Sequence, residues 1–139
     1  MTTPLVPATP AVASPAVSPA QEIMKEHNRN ALIGSETGMD VMIEDVSDPD
    51  GRIYRLEYQS TPDGRHAIAF CRFNPWGSLN GGEEYQVGHV DANGFVCVGK
   101  QSVKSVQASP YDIRYVIQRS RFWCAAFSVL KETGQFPNP

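Results

Sequence analysis

A histidine and a cysteine flank one predicted turn, and their side chains are the best suited to chemistry in this chain. The stretch GHVDANGFVCVGK places His89 eight residues before Cys97. The intervening DANG segment favours left-handed backbone angles, which predicts a tight reversal flanked by short β segments. A thiolate is intrinsically nucleophilic, so modest assistance from His89 would make Cys97 a useful nucleophile. A buried structural cysteine in a strand is the alternative interpretation of Cys97.

The other two cysteines fall in patterns typical of buried side chains. Cys124 lies in the middle of a predicted helix among large apolar residues, where a free cysteine behaves as a small hydrophobe. Cys71 lies between Phe70 and Phe73 in a predicted strand. We therefore expect Cys71 and Cys124 to be structural and Cys97 to be the accessible thiol.

A metal site is disfavoured by the cysteine spacing. Three cysteines far apart do not form the framework of a small secreted domain, and no pair has the close C-x-x-C spacing typical of zinc ligands. Zinc held by Cys71, His89, Cys97 and Cys124 is thus a minor alternative. We expect neither a metal nor a cofactor, and the cysteine usage suits a reducing cytosol.

The composition indicates one domain. The chain has 139 residues, of which 41% are hydrophobic, enough for a single core of ordinary size. A formal net charge of −3 argues against a nucleic-acid binder with a general basic field. No apolar run approaches the roughly 18 residues that span a bilayer. The first basic residue, Lys25, comes too late for a secretory signal. We expect a soluble cytoplasmic protein without nucleic-acid or membrane partners.

The N-terminal twenty residues differ in composition from the rest. They are almost entirely Pro, Ala, Thr, Ser and Val, which predicts a disordered arm over residues 1–20 and a folded domain over residues 21–139. The domain opens with apolar residues at helical spacing. This pattern predicts a short surface helix over Gln21–Leu32 that Gly34 ends.

Three alternating runs predict an antiparallel meander, because the connectors SDPDG and TPDG are strong turn signals. The runs are MDVMIEDV, RIYRLEYQS and HAIAFCRF. An irregular excursion, NPWGSLNGGEEY, then leads into the hairpin with Cys97. A C-terminal helix of roughly 24 residues follows, capped by Ser109 with Pro110 in its first turn and closed by Gly134. The predicted class is α+β: N-terminal helix, antiparallel meander, cysteine-bearing hairpin and long C-terminal helix.

Two of these segments resemble the ubiquitin-conjugating (UBC-fold) family, particularly its bacterial members in antiphage and ubiquitin-like conjugation operons. The hairpin sequence HVDANGFVCV matches a pattern of histidine, turn glycine, aliphatic residue, cysteine and aliphatic residue. The helix sequence RFWCAAFSVLKETGQF resembles their aromatic C-terminal helix. The resemblance spans about Gln21 to Pro139. The residues in matching positions are His89, Gly94, Val96, Cys97, Val98, Trp123, Phe127, Leu130, Thr133, Gly134 and Phe136.

The resemblance implies thioester chemistry. Cys97 would accept the C-terminal acyl group of a ubiquitin-like modifier or another acyl-donor protein, and a target lysine amine would then attack the thioester. Such a transfer needs donors for the tetrahedral oxyanion and a base for the amine. For the oxyanion, the expected donors are backbone amides near Gly94 to Val98 with Asn93 or His89. For the base, the candidates are Asp91 and Glu84.

The sequence departs from the family pattern at one point, and the resemblance also implies a target protein. The His-Pro-Asn triplet familiar in eukaryotic enzymes is replaced by His89-Val90-Asp91, which removes the amide from its usual place. The implied target is a cyclic-oligonucleotide synthase of a bacterial immune operon. Two other classes stay open: a catalytically inactive UBC-like binding module, and a small structural protein of a phage or mobile element.

Overall fold

The computed structural model describes residues 17–77, 87–99 and 104–137. The elements of these residues are α1 (Pro19–His27), β1 (Leu32–Glu36), β2 (Met39–Ser47), β3 (Ile53–Ser60), β4 (Ala67–Phe73) and α2 (Ile113–Thr133). The four strands form one antiparallel sheet in the order β1-β2-β3-β4. The predicted α+β class, with its N-terminal helix, antiparallel meander and long C-terminal helix, is confirmed.

The N-terminal helix is shorter than predicted, and a strand follows it. Asn28 adopts extended backbone angles at the C-cap and donates its N–H to Met24 O, so α1 ends at His27. Gly34, expected to end the helix, lies inside β1 and pairs with Val41 of β2. Helix α1 also begins before Gln21: Ala20 is fully buried in it. The predicted arm before residue 17 lies outside the described residues.

The C-terminal helix begins later than predicted. Its N-cap is Asp112, whose side chain accepts a hydrogen bond from Tyr115 N, whereas Ser109 and Pro110 precede the helix. An Asp at the N-cap also interacts favourably with the positive end of the helix dipole. Gly134 closes the helix with a φ of 83°, as expected. The 21 residues of α2 extend for about 32 Å.

The main core lies between one face of the sheet and the two helices. Strand β3 contributes Tyr54, Leu56 and Tyr58, and α2 contributes Trp123 and Phe127, all of them at most 2% exposed. The second half of α2 is therefore mostly buried, although Val129 is 39% exposed. Within the described ranges, neither helix is long and apolar enough to cross a membrane.

Two buried carboxylates tie α2 to the sheet. Glu44 of β2 accepts hydrogen bonds from Arg121 Nε at 3.0 Å and Nη2 at 2.7 Å. Asp48, just after β2, accepts one from the Ser128 hydroxyl at 2.6 Å. Glu44 and Asp48 are 3% and 4% exposed. These contacts set the rotation of α2, and with it the side chains that α2 presents at its other faces.

Candidate functional site

The predicted reversal before Cys97 is a tight hairpin. Val90 and Val96 form an antiparallel bridge, and the Gly94 N–H donates to Asp91 O at 3.0 Å. Gly94 has a φ of 87°, and a Cβ there would lie 2.3 Å from Cys71 O. Only glycine fits that position, because both the backbone angle and the available space exclude a side chain.

The hairpin is anchored to the edge of the sheet. Cys71 N donates to Gly94 O at 2.6 Å, and Val96 N donates to Ala69 O at 3.0 Å. Phe95 is fully buried in a small second cluster with Ile68. Strand β4 therefore fixes the hairpin, and with it the position of Cys97.

Asp91 builds the turn. Its Oδ1 accepts the N–H groups of Asn93 and Phe95, each at 2.9 Å, and its Oδ2 forms an ion pair with Lys104. Burial alone would raise the pKa of Asp91, but the hydrogen bonds from Lys104 and the two amides outweigh it and lower the pKa. Asn93 is exposed at the tip. Neither Asp91 nor Asn93 lines the cavity described next.

His89 and Cys97 share a cavity of about 270 Å³. Cys97 N donates to His89 O at 2.8 Å, which aligns the two residues across the hairpin. The Cys97 side chain is half-buried, and its thiol donates to Gly99 O at 2.8 Å. The predicted proximity of His89 and Cys97 is thus observed. The described lining residues are His89, Cys97, Val98, Gly99, Arg119, Phe122, Trp123, Phe136 and Pro137.

His89 adopts an unusual backbone conformation. Its φ is 58°, in the left-handed region that few non-glycine residues adopt. Trp123 Nε1 donates to the carbonyl of Gly88 at 2.6 Å, and the Phe136 ring lies 4.5 Å from the imidazole between ring centres. These contacts hold the strained residue in place. Burial, together with the nearby Arg119 charge, lowers the pKa of His89, so its imidazole is mainly neutral at neutral pH.

The far wall of the cavity comes from α2 and the segment after it. Arg119, Phe122 and Trp123 lie three and four residues apart, which puts them on one helix face. Phe136 follows the Gly134 turn and packs against His89. Trp123 and Phe136 were expected only through the resemblance, and Arg119 was not predicted as a site residue. The helical spacing of these residues can be read from the sequence, but the packing of that helix face opposite the hairpin cannot.

The other two thiols are inaccessible. Cys71 is 5% exposed and Cys124 is fully buried, as predicted. Burial raises the pKa of Cys71 to about 12 and raises that of Cys124 as well. No three His, Cys, Asp or Glu side chains of the described ranges gather into a group that could hold a metal. Glu84, a candidate base, lies outside those ranges.

Comparison of the chain with protein-family models, curated proteins and solved structures finds no match in any of the three. The observations that bear on function are therefore the cavity and the order of the elements around it.

Proposed function

We propose that the protein is a cysteine-dependent acyl carrier of the ubiquitin-conjugating type. Cys97 receives the C-terminal acyl group of a donor protein as a thioester and passes it to a lysine amine. One observation carries the proposal. Of the three cysteines in the sequence, Cys97 alone is not buried, and it lies in a cavity with a histidine.

The first step exchanges one acyl bond for another. The Cys97 thiolate attacks the carbonyl carbon of an activated donor, either an acyl adenylate or a thioester. The new bond from sulfur to carbon forms as the adenylate or donor thiolate leaves. Because the His89 imidazole is mainly neutral at neutral pH, it has a free nitrogen lone pair to accept the thiol proton.

The second step transfers the acyl group to the target. A neutral lysine amine attacks the thioester carbonyl, an amide bond forms, and the Cys97 thiolate departs. The amine proton goes to a base or to water. The Asp91 carboxylate already accepts two backbone amides and the Lys104 ammonium, which makes it a turn residue rather than a base.

The oxyanion requires donors that are not already engaged. The amides of Gly94, Phe95, Val96 and Cys97 each donate within the fold. The proposed role of these four amides at the oxyanion is therefore unfavourable. Two cavity side chains with N–H groups, His89 and Arg119, are better donors for a developing negative charge.

The order of the elements supports the UBC-type assignment. An N-terminal helix, an antiparallel meander, a cysteine-bearing hairpin and a long C-terminal helix follow one another as the resemblance implies. The biological setting of the reaction is inferred only from the resemblance of the motif HVDANGFVCV to the bacterial members of the family. On that basis we propose a cytoplasmic role in bacterial antiphage immunity, with a ubiquitin-like modifier as donor and a cyclic-oligonucleotide synthase as target.

A peptide α-thioester tests the acyl transfer directly. Incubation with the wild-type protein is expected to give an adduct of the peptide mass on Cys97, cleaved by dithiothreitol and mapped by mass spectrometry. Cys97→Ala should give no adduct, whereas Cys71→Ala should keep it. An adduct that survives in Cys97→Ala, or no adduct on folded wild-type protein, would contradict the proposal and favour a binding module.

Iodoacetamide labelling provides an independent check of accessibility. Native protein is expected to be alkylated at Cys97, while Cys71 and Cys124 react only after denaturation, because burial blocks access and raises the pKa of both thiols. Adducts are mapped by mass spectrometry at increasing times. Preferential labelling of Cys71 or Cys124 in the native protein would overturn the assignment of Cys97 as the nucleophile.

A further inference from the structure

Arg119 differs from the other half-buried arginines of the described chain. Arg52 pairs with Asp48 at 2.8 Å, and Arg121 pairs with Glu44 at 2.7 Å. Arg119 has no carboxylate within 4.0 Å among residues 17–77, 87–99 and 104–137. A partly desolvated guanidinium favours an anionic partner, and here the described chain supplies none.

The position of Arg119 places its positive charge in the wall of the cavity. It lines the cavity with His89 and Cys97, and its guanidinium carbon lies 5.1 Å from the centre of the Phe122 ring. Stacking on an aromatic face fixes the plane of a guanidinium and leaves its N–H edges open to a partner.

The cavity has a positive charge beside apolar walls. None of its described lining residues is acidic, and the His89 imidazole is mainly neutral at neutral pH. Phe122, Trp123 and Phe136 supply aromatic surface. At about 270 Å³, the cavity lies just below the usual size range of ligand pockets, so it fits one or two residues of a chain end.

We propose that Arg119 selects an acyl donor that has a carboxylate next to its activated carbonyl: a polypeptide C-terminus with Asp or Glu at, or just before, its last residue. This inference rests on the proposed function. The donor carboxylate pairs with Arg119 and is unchanged by the reaction. Cys97 sulfur bonds to the activated carbonyl carbon, and the adenylate or thiolate leaving group departs from it. The pairing holds that carbon near the sulfur.

Two alkylating reagents of nearly equal size test the charge preference. Iodoacetate and iodoacetamide both transfer a two-carbon group to the thiolate with loss of iodide, but only iodoacetate carries a carboxylate. The measured quantity is the ratio of their rate constants at Cys97, followed by mass spectrometry of the peptide. The ratio cancels any change in the thiolate fraction, because both reagents require the same thiolate.

Three variants of α2 define the expected result. Arg119→Gln should lower the ratio of iodoacetate to iodoacetamide rates by about three- to tenfold, the size expected for loss of one nearby charge in a partly wet site. Arg119→Lys keeps the charge and should restore most of the ratio. Arg114→Gln is the matched control, since Arg114 is exposed and pairs with Glu26 outside the cavity. It should leave the ratio within about twofold.

The outcomes separate this inference from the function on which it rests. If Cys97 is readily alkylated but the ratio of iodoacetate to iodoacetamide rates is equal in wild type and Arg119→Gln, the preference of Arg119 for a carboxylate is overturned. The assignment of Cys97 as nucleophile then stands. No reaction of native Cys97 with either reagent overturns both. If Arg119→Gln unfolds, as judged by circular dichroism, the test uses Arg119→Lys at low and raised salt. Screening must weaken a charge preference, so the ratio of iodoacetate to iodoacetamide rates should fall as salt is raised. A ratio that keeps its low-salt value overturns the charge preference.

Discussion

His89 is distinguished by its backbone conformation as well as by its imidazole. A φ of 58° costs an L-residue roughly 1–2 kcal/mol, and glycine avoids this cost. The Trp123 hydrogen bond to Gly88 O and the Cys97 hydrogen bond to His89 O hold the conformation. Strain of this kind is common at functional sites, where the surrounding structure keeps a side chain in one orientation.

Substitutions at His89 separate strain from chemistry. His89→Gly is expected to stay within about 1 kcal/mol of wild-type stability, because relief of strain offsets the lost ring contact with Phe136. His89→Val should be less stable than His89→Gly by about 1–2 kcal/mol, since a β-branched residue fits this conformation poorly. Both should lose thioester formation if the imidazole takes part in transfer. Urea unfolding and the peptide-thioester assay measure the two effects, and equal stability of both variants would contradict the strain.

At the scale of the element, the hairpin depends on Asp91. Its carboxylate satisfies the amide of Phe95, which is fully buried, and the amide of Asn93. Asp91→Ala leaves the Phe95 amide without this acceptor, so we expect a loss of about 1–3 kcal/mol in the free energy of unfolding. Asn93→Ala, at the exposed tip, should change it by less than about 0.5 kcal/mol.

Chemical denaturation measures both variants, and hydrogen exchange localises the effect. Exchange at the Phe95 amide should accelerate in Asp91→Ala, while amides in the middle of β3 change only with global stability. Comparable losses in Asp91→Ala and Asn93→Ala would show that the turn does not depend on the carboxylate.

Local sequence patterns predicted some of the helices and strands and missed others. Strands β2 to β4 were predicted because alternation and turn signals are local. Strand β1 was missed because its five residues are mostly exposed and alternate weakly, and it forms by pairing with β2. The N-cap at Asp112 was missed because Ser109 and Pro110 offered an equally good local signal three residues earlier.

Local sequence patterns likewise predicted one part of the candidate site and missed the other. His89 and Cys97 lie within one hairpin, so their proximity followed from turn chemistry. Arg119 and Phe122 reach the cavity through the packing of α2 against the sheet. That packing is set by distant contacts such as Glu44 with Arg121. No local pattern contains such information, so the positive charge of the cavity was not predicted.

At the scale of the whole molecule, buried carboxylates predict acid sensitivity. Burial alone would raise the pKa of Asp48, but hydrogen bonds from Ser128, Arg52 and the Asp50 amide lower it from 3.8 to about 2. The pKa of Glu44 is also lowered, because hydrogen bonds led by that from Arg121 outweigh its burial. A lowered folded-state pKa stabilises the fold above the unfolded-state value, and this stability disappears as pH falls through the folded-state value.

The two carboxylates should make the free energy of unfolding fall progressively from about pH 5 toward pH 2, and the lowered pKa of His89 should add a further loss as pH falls below about 6.5. Asp48→Asn should be less stable at pH 7, because the neutral amide weakens the Arg52 pair, and its stability should fall less steeply in acid. Urea unfolding at a series of pH values gives both results. An equally steep fall in the variant would mean that other groups dominate the acid response.

The contact between Phe136 and His89 has a practical consequence for anyone who prepares the protein. Phe136 and Pro137 form one wall of the cavity that Cys97 lines. Histidines or charges introduced directly after Pro137 would therefore lie close to the Cys97 thiol and could change its labelling. Affinity tags for the labelling and transfer assays should be kept away from this segment and should be removable.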